Sequence, residues 1–209
     1  DKRKEKEIRV VNTLLEKQVD GLLFMGGSIT EDHLEAFRTS TVPIVLCSTA
    51  DETGTMPSVD IDHEQAAFDA VSRLISEGHR KIAMISGSLQ DPTTGYARFQ
   101  GYRKALEKAG LPFREDYVRA GNYRYESGME ATRYFLQLPE RPTAIFAAND
   151  EMAIGAIHAI QDAGLKVPGD ISVIAIDNIR LAEMVRPELT TVAQPMYDIG
   201  AVAMRLLTK

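Results

Sequence analysis

The chain has 209 residues, 44% of them hydrophobic and 26% charged, with a formal net charge of −6. That size and balance predict a soluble globular protein of one large domain or two modest lobes, and exclude a disordered chain. The acidic balance argues against a main nucleic-acid surface, and strand-sized apolar runs argue against a membrane span.

In chain order, Ile8, Val11 and Leu15 mark a first amphipathic helix, followed by an apolar run at Val19–Met25 that reads as a buried strand. Gly26-Gly27 after it is too weak a signal for a phosphate turn. A second strand is predicted at Val42–Cys47. Cys47, the single cysteine, permits no internal disulfide and points to a reducing, cytoplasmic setting. DKRKEKEIRV at the N-terminus lacks the apolar stretch of a signal peptide.

Asp62 follows SVDI and, with Gln65, resembles a capping box opening a helix marked by Ala67, Val71, Leu74 and Ile75. Strands are predicted at Ile82–Ser86, Ala144–Ala147 and Ile171–Ile176, with helices marked by Phe99, Tyr102 and Leu106, and by Met152, Ala156 and Ala159. The Met152–Ile160 helix is apolar enough for either an interface or a buried core. Gly78, Gly110 and Gly164 stand where left-handed helix caps are needed. Such alternation calls for parallel sheets with helices on both faces. A helix with no strand before it, and another with none after it, predict that the pattern continues beyond both ends of the sequence.

The last segment, TTVAQPMYDIGAVAMRLLTK, reads as a strand, a Gln194-Pro195 break and a helix. Ile199, Val202, Ala203 and Leu206 are expected on its buried side, with Tyr197, Asp198, Arg205 and Lys209 on the other. That second face is either a plain solvated surface or a receptor for a phosphorylated partner, since arginine forks onto oxyanions.

Enzyme signatures are missing: no GxGxxG after a strand, no P-loop, no CxxC and no HExxH. Nor does any residue pair suggest a nucleophile with its base, so a non-enzyme is expected. The histidines at 33, 63, 79 and 158 do not fall at metal-ligand spacing and read as surface or helix residues. A more coherent set lies at the carboxyl ends of the predicted strands, where open parallel sheets bind ligands. It comprises Asp62, Ser86 with Gly87 and Ser88, Arg98, Tyr123, Asn149 with Asp150, and Asp177. Carboxylates, an amide, a guanidinium and an aromatic ring suit a polyhydroxylated ligand. For Asn149 and Asp177 helix capping is the competing reading.

SEGHRKIAMISG, ARFQGYRKAL, AIFAANDEMAIGAIHAIQDAGLKVPGDISVIAIDN and the PxLTTVxQP pattern at Pro187–Pro195 resemble the ligand-binding core of LacI/GalR-type bacterial repressors along essentially the whole chain. QVDGLLFM, IDHEQAAFDAV and QPMYDIGAVAMRLLTK are similar to the catabolite-control members of that family in Gram-positive bacteria. The resemblance implies a periplasmic-binding-protein-like α/β fold of two doubly wound parallel-sheet lobes joined by three crossovers. The first lobe would be incomplete and hold about residues 1–61 plus 195–209; the second would hold 62–194. It also implies a homodimer that meets operator DNA only through an N-terminal helix-turn-helix not contained in this sequence. Asp62, Ser86, Arg98, Tyr123, Asn149 and Asp177 would then bind the effector, with glucose 6-phosphate or fructose 1,6-bisphosphate in an adjunct role. Serine-phosphorylated HPr would be the corepressor, with Arg205 and Lys209 near the phosphoserine and Tyr197 and Asp198 framing the contact. The rival readings are a repressor core sensing a free sugar or nucleobase, and a transport-associated sugar-binding protein of the same fold.

Overall fold

A computed structural model describes residues 2–51 and 53–209. The chain divides into two compact units, Asp1–Ile61 with Pro195–Lys209, and Asp62–Gln194. It passes between them twice, at 61–62 and at 194–195. Of the three crossovers the resemblance implies, these residues therefore make two.

The first unit holds α1 (Lys2–Glu16), β1 (Leu22–Phe24), α2 (Glu31–Arg38), β2 (Ile44–Cys47), β3 (Ser58–Val59) and α8 (Met196–Leu207). Its strands form a parallel sheet in the order β1-β2-β3, with Leu23 opposite Val45 and Leu46 opposite Ser58. The central strand β2 is buried along its whole length, as a continuous apolar run requires when both faces are covered. Leu46 faces Val11, Leu34 and Phe37 of the helices on one side. Val45 and Cys47 face Ala203 of α8 on the other. β1 is an edge strand with Leu23 exposed, and a groove of about 420 Å³ runs between it and α1, lined by Val10, Leu14 and Met25 among others.

The second unit holds α3 (His63–Ser76), β4 (Ile82–Ser86), α4 (Gly95–Lys108), β5 (Val118–Ala120), α5 (Tyr125–Gln137), β6 (Ala144–Ala147), α6 (Asp150–Asp162), β7 (Ser172–Asp177), α7 (Arg180–Met184) and β8 (Thr190–Ala193). Its five strands are all parallel, in the order β5-β4-β6-β7-β8. The chain leaves β4 to one side for β5 and returns to the other side for β6, so a topological switch point lies between the carboxyl ends of β4 and β6. Phe135, Phe146, Ile145, Met152, Ile157 and Ile160 are fully buried, and α6 is a core helix along its Met152–Ile160 stretch.

Gly78, Gly110 and Gly164 hold φ of 95°, 66° and 76° just after α3, α4 and α6, as their placement predicts. Only half of the predicted capping box forms. The Asp62 carboxylate accepts the Gln65 N–H at 2.9 Å, but the Gln65 side chain turns along the helix and donates to Asp69. Three helices, α2, α5 and the short α7, fall where sequence periodicity predicts none. On α8, Ile199 and Ala203 are buried, whereas Val202 and Leu206 are 41% and 37% exposed, against expectation. The buried stripe runs instead through Ile199, Ala203 and the packed Leu207, spaced four residues apart.

Candidate functional site at the carboxyl end of the second sheet

Arg98, Tyr123, Asn149 and Asp177 come together at the carboxyl end of the five-stranded sheet. Arg98 lies in the first turn of α4 and is 2% exposed. The loop before that helix is tied by Asp91, whose carboxylate accepts the N–H groups of Thr93, Thr94 and Gly95. The guanidinium donates to the Ala148 carbonyl just beyond β6, and to Nδ1 of the buried His63 at 3.2 Å from one terminal nitrogen. The same nitrogen stands 3.7 Å from the Asp177 carboxylate. Arg98 thus closes the end of the sheet by bridging α3, β6 and β7.

Asp177 ends β7 with φ of 137°, and Asn178 follows at 60°. Successive non-glycine residues at positive φ cost backbone energy and persist only when their surroundings hold them. The holding groups are visible. Asp150, fully buried, accepts the Ile179 N–H at 2.8 Å and the Thr191 hydroxyl at 2.5 Å. Gln194, after β8, donates its side-chain amide to the Asp177 carboxylate at 2.6 Å and its backbone N–H to the Asp177 carbonyl at 3.2 Å. Burial raises the Asp177 pKa, and the nearby Arg98 charge followed by the Gln194 bond hold that rise back. Burial likewise raises Asp150, against the bonds from Thr191 and Ile179.

Tyr123 follows β5 and adopts a left-handed conformation, φ 65°. Its carbonyl accepts from the Asn149 side-chain amide at 3.1 Å. Asn149 also caps α6, accepting the Met152 N–H at 3.1 Å, so its capping and site-facing readings hold together. Asp177 caps no helix: the residue before α7 is Ile179, without a side-chain cap. Burial lifts the Tyr123 phenol to about 12, so it is a neutral donor at ordinary pH.

The other two residues expected to bind the effector have different surroundings. Asp62 is exposed and capped onto α3. Ser86 is fully buried, with its hydroxyl 3.5 Å from the Arg119 carbonyl within the β4–β5 pairing. Sequence reasoning missed His63 and Gln194, and it placed Asp150 at a strand end among the ligand candidates, whereas that carboxylate is fully buried. His63 and His33 are both helix residues, the second of the two expected settings, and both are buried. His33 hydrogen-bonds Thr30 and stands 3.3 Å from Glu7. The SVDIDH stretch, which sets His63 one residue past a strand-end carboxylate, is the signal that would have found it. Among the described residues, no three His, Cys, Asp or Glu side chains group to hold a metal ion. Nor is any helix there long and apolar enough to cross a membrane.

A second candidate surface lies on α8 of the first unit. Tyr197 is 87% exposed with Asp198 exposed beside it, and Arg205 and Lys209 are exposed at the opposite end of the segment. Among the described residues neither Arg205 nor Lys209 takes part in an ion pair, while Val202, Met204 and Leu206 leave apolar surface between the charges.

A family profile for the periplasmic binding protein-like domain matches residues 71–209. Catabolite control protein A of Priestia megaterium is 53% identical over 209 residues, covering 100% of this chain and 63% of that protein. The protein of the same name from Streptococcus mutans is 43% identical, covering 100% and 62%. The chain thus spans less than two thirds of these relatives. Among solved structures, transcription regulator CcpA of Lactococcus lactis superposes with a TM-score of 0.90 at 42% identity, covering 98% of this chain and 74% of that one. The chain therefore belongs to the periplasmic binding protein-like family, in its LacI-type branch of transcription regulators.

Proposed function

We propose that this chain is the effector- and corepressor-binding core of a regulator of carbon catabolite control. Serine-phosphorylated HPr docks on the exposed face of α8. A phosphosugar, glucose 6-phosphate or fructose 1,6-bisphosphate, occupies the carboxyl end of the second sheet as an adjunct. The relatives named catabolite control protein A support the regulatory role, which is not that of an enzyme. One observation carries the docking assignment: two exposed cations without ion pairs among the described residues, Arg205 in the last turn of α8 and Lys209 two residues past its end.

Asp198, Val202 and Arg205 share one face at helical spacing, and Lys209 follows just past the end of the helix. A phosphoserine carries nearly two negative charges and three acceptor oxygens. The Arg205 fork takes two of those oxygens and the Lys209 ammonium adds a point charge. Tyr197 and Asp198, at the other end of the helix, frame the partner's flank. In the longer protein, an N-terminal helix-turn-helix would carry operator binding as a homodimer, in the cytoplasm. Partner and sugar act by binding more tightly to the DNA-competent state than to the other.

Titration calorimetry with serine-phosphorylated HPr beside unphosphorylated HPr, on a chain extended to the full regulator, tests the assignment. Binding of the phosphorylated form alone supports it. Binding of neither form, with binding of a neutral sugar, moves the protein to a repressor controlled by a small molecule alone.

A further inference from the structure

One buried polar atom in the effector site has no hydrogen-bond partner among the described residues: the Tyr123 hydroxyl. Buried hydroxyls in folded proteins are almost always paired, so an orphan invites an explanation. Its position is constrained. A Cβ built on Gly87, just past β4, would fall 1.9 Å from the hydroxyl oxygen, so the phenol lies directly over the Gly87 backbone. Gly87 borders the switch point between β4 and β6, the place where an open parallel sheet receives ligands. The left-handed Tyr123 backbone and the Asn149 bond to its carbonyl keep the ring there.

We infer that the Tyr123 hydroxyl is a specificity-determining donor, aimed at an uncharged oxygen of the effector (a hydroxyl or ring oxygen) and not at its phosphate. The inference rests on the effector reading of this site. The charges around the hydroxyl favour an uncharged acceptor. The carboxylates of Asp91 and Asp177 act on the phenol and would repel a phosphate, while the Arg98 guanidinium acts on it in the opposite sense. Arg98 is the guanidinium at hand, and it is already engaged by the Ala148 carbonyl, His63 and Asp177. A phosphate drawn to it would have to compete with a carboxylate already beside it. A sugar hydroxyl, by contrast, accepts from the phenol and donates to a carboxylate in one step. A site built to hydrogen-bond such an oxygen discriminates strongly once the donor is removed.

The test compares wild type with Tyr123→Phe by titration calorimetry, using glucose 6-phosphate, fructose 1,6-bisphosphate and glucose as probes. Thermal melting of the free proteins is recorded alongside. Tyr123→Phe keeps the ring and is expected to melt with wild type, because no internal bond is lost. It should bind each probe that wild type binds about tenfold more weakly, with the ratio between glucose 6-phosphate and glucose preserved. Gly87→Ala, which pushes the hydroxyl aside, should reproduce the loss. Unchanged affinity in Tyr123→Phe overturns the inference and leaves the effector site standing. Where wild type binds glucose as well, a loss confined to the phosphorylated probes also overturns it, because the donor then meets phosphate. If wild type binds none of the three, the effector reading falls and takes the inference with it.

Discussion

The two units are built to different depths, and their candidate sites follow the difference. In the second unit five parallel strands are packed from both faces, and β4 and β6 are buried at every residue. Its candidate site residues stand at the ends of those strands, held by Asp150, Gln194 and Arg98. In the first unit three short strands carry two small apolar clusters, and β1 leaves Leu23 and the neighbouring Met25 exposed. Its candidate surface is one helix face that uses no cleft. A small ligand needs donors and acceptors fixed to within fractions of an ångström, which a deep sheet supplies. A phosphoprotein needs only cations on an accessible ridge, which a thin unit can present.

The largest expected effect lies in the deeper core. Phe135→Ala removes a fully buried ring between α5, α6 and the sheet. It should cost about 3–5 kcal/mol, read as a lower denaturant midpoint for the second unit's transition. A loss under about 1 kcal/mol would mean that this core is looser than its burial implies.

Acid should separate the units next. In the first unit burial pushes the Asp51 carboxyl up, but bonds from the Thr53 hydroxyl and the Met56 and Thr55 N–H groups outweigh it and hold the pKa below 3.8. A depressed carboxylate contributes stability above its unfolded pKa and loses it as pH falls through the folded value. Asp150 and Asp177 of the second unit are raised by burial, so their contribution is fully present below the unfolded pKa and is lost as pH rises through the folded values. The lowered Asp116 and Glu140 of that unit sit in exposed, screened ion pairs and weigh little. Hydrogen exchange between pH 5 and pH 3 should therefore show amides of β2 opening before those of β6; the reverse order would break the contrast.

The smallest effect is expected at the thin unit's edge. Leu23→Ala, at a residue 43% exposed, should shift stability by about 0.5 kcal/mol or less.

How much of this was legible in the sequence divides along similar lines. The buried strands announced themselves as continuous apolar runs, and β4, β6 and β7 lie within a residue of expectation because both faces are apolar. The run at Val19–Met25 shrank to Leu22–Phe24, an edge strand whose neighbours meet solvent. α5 was hidden because its buried positions, Gly128, Ala131 and Thr132 beside Phe135, are mostly too small or polar to print an apolar period. α2 was hidden similarly, with His33 filling a core position. The grouping of Tyr123, Asn149 and Asp177 was readable because topology brings strand ends together, whereas Asp62 and Ser86 stand in other surroundings. Gln194 and His63 were not readable, nor was the buried supporting role of Asp150, since each acts on a neighbour brought close only by folding. Val202 and Leu206 misled because apolar spacing on a helix does not say which stripe is covered.

The central claim is that phosphoprotein and sugar use separate surfaces, one on each unit. Titration of Arg205→Glu in the full regulator with serine-phosphorylated HPr, and separately with glucose 6-phosphate, tests it most directly. The account predicts that phosphoprotein binding falls below detection while sugar affinity stays within twofold of wild type. Undiminished phosphoprotein binding, or equal loss of both ligands, would contradict it.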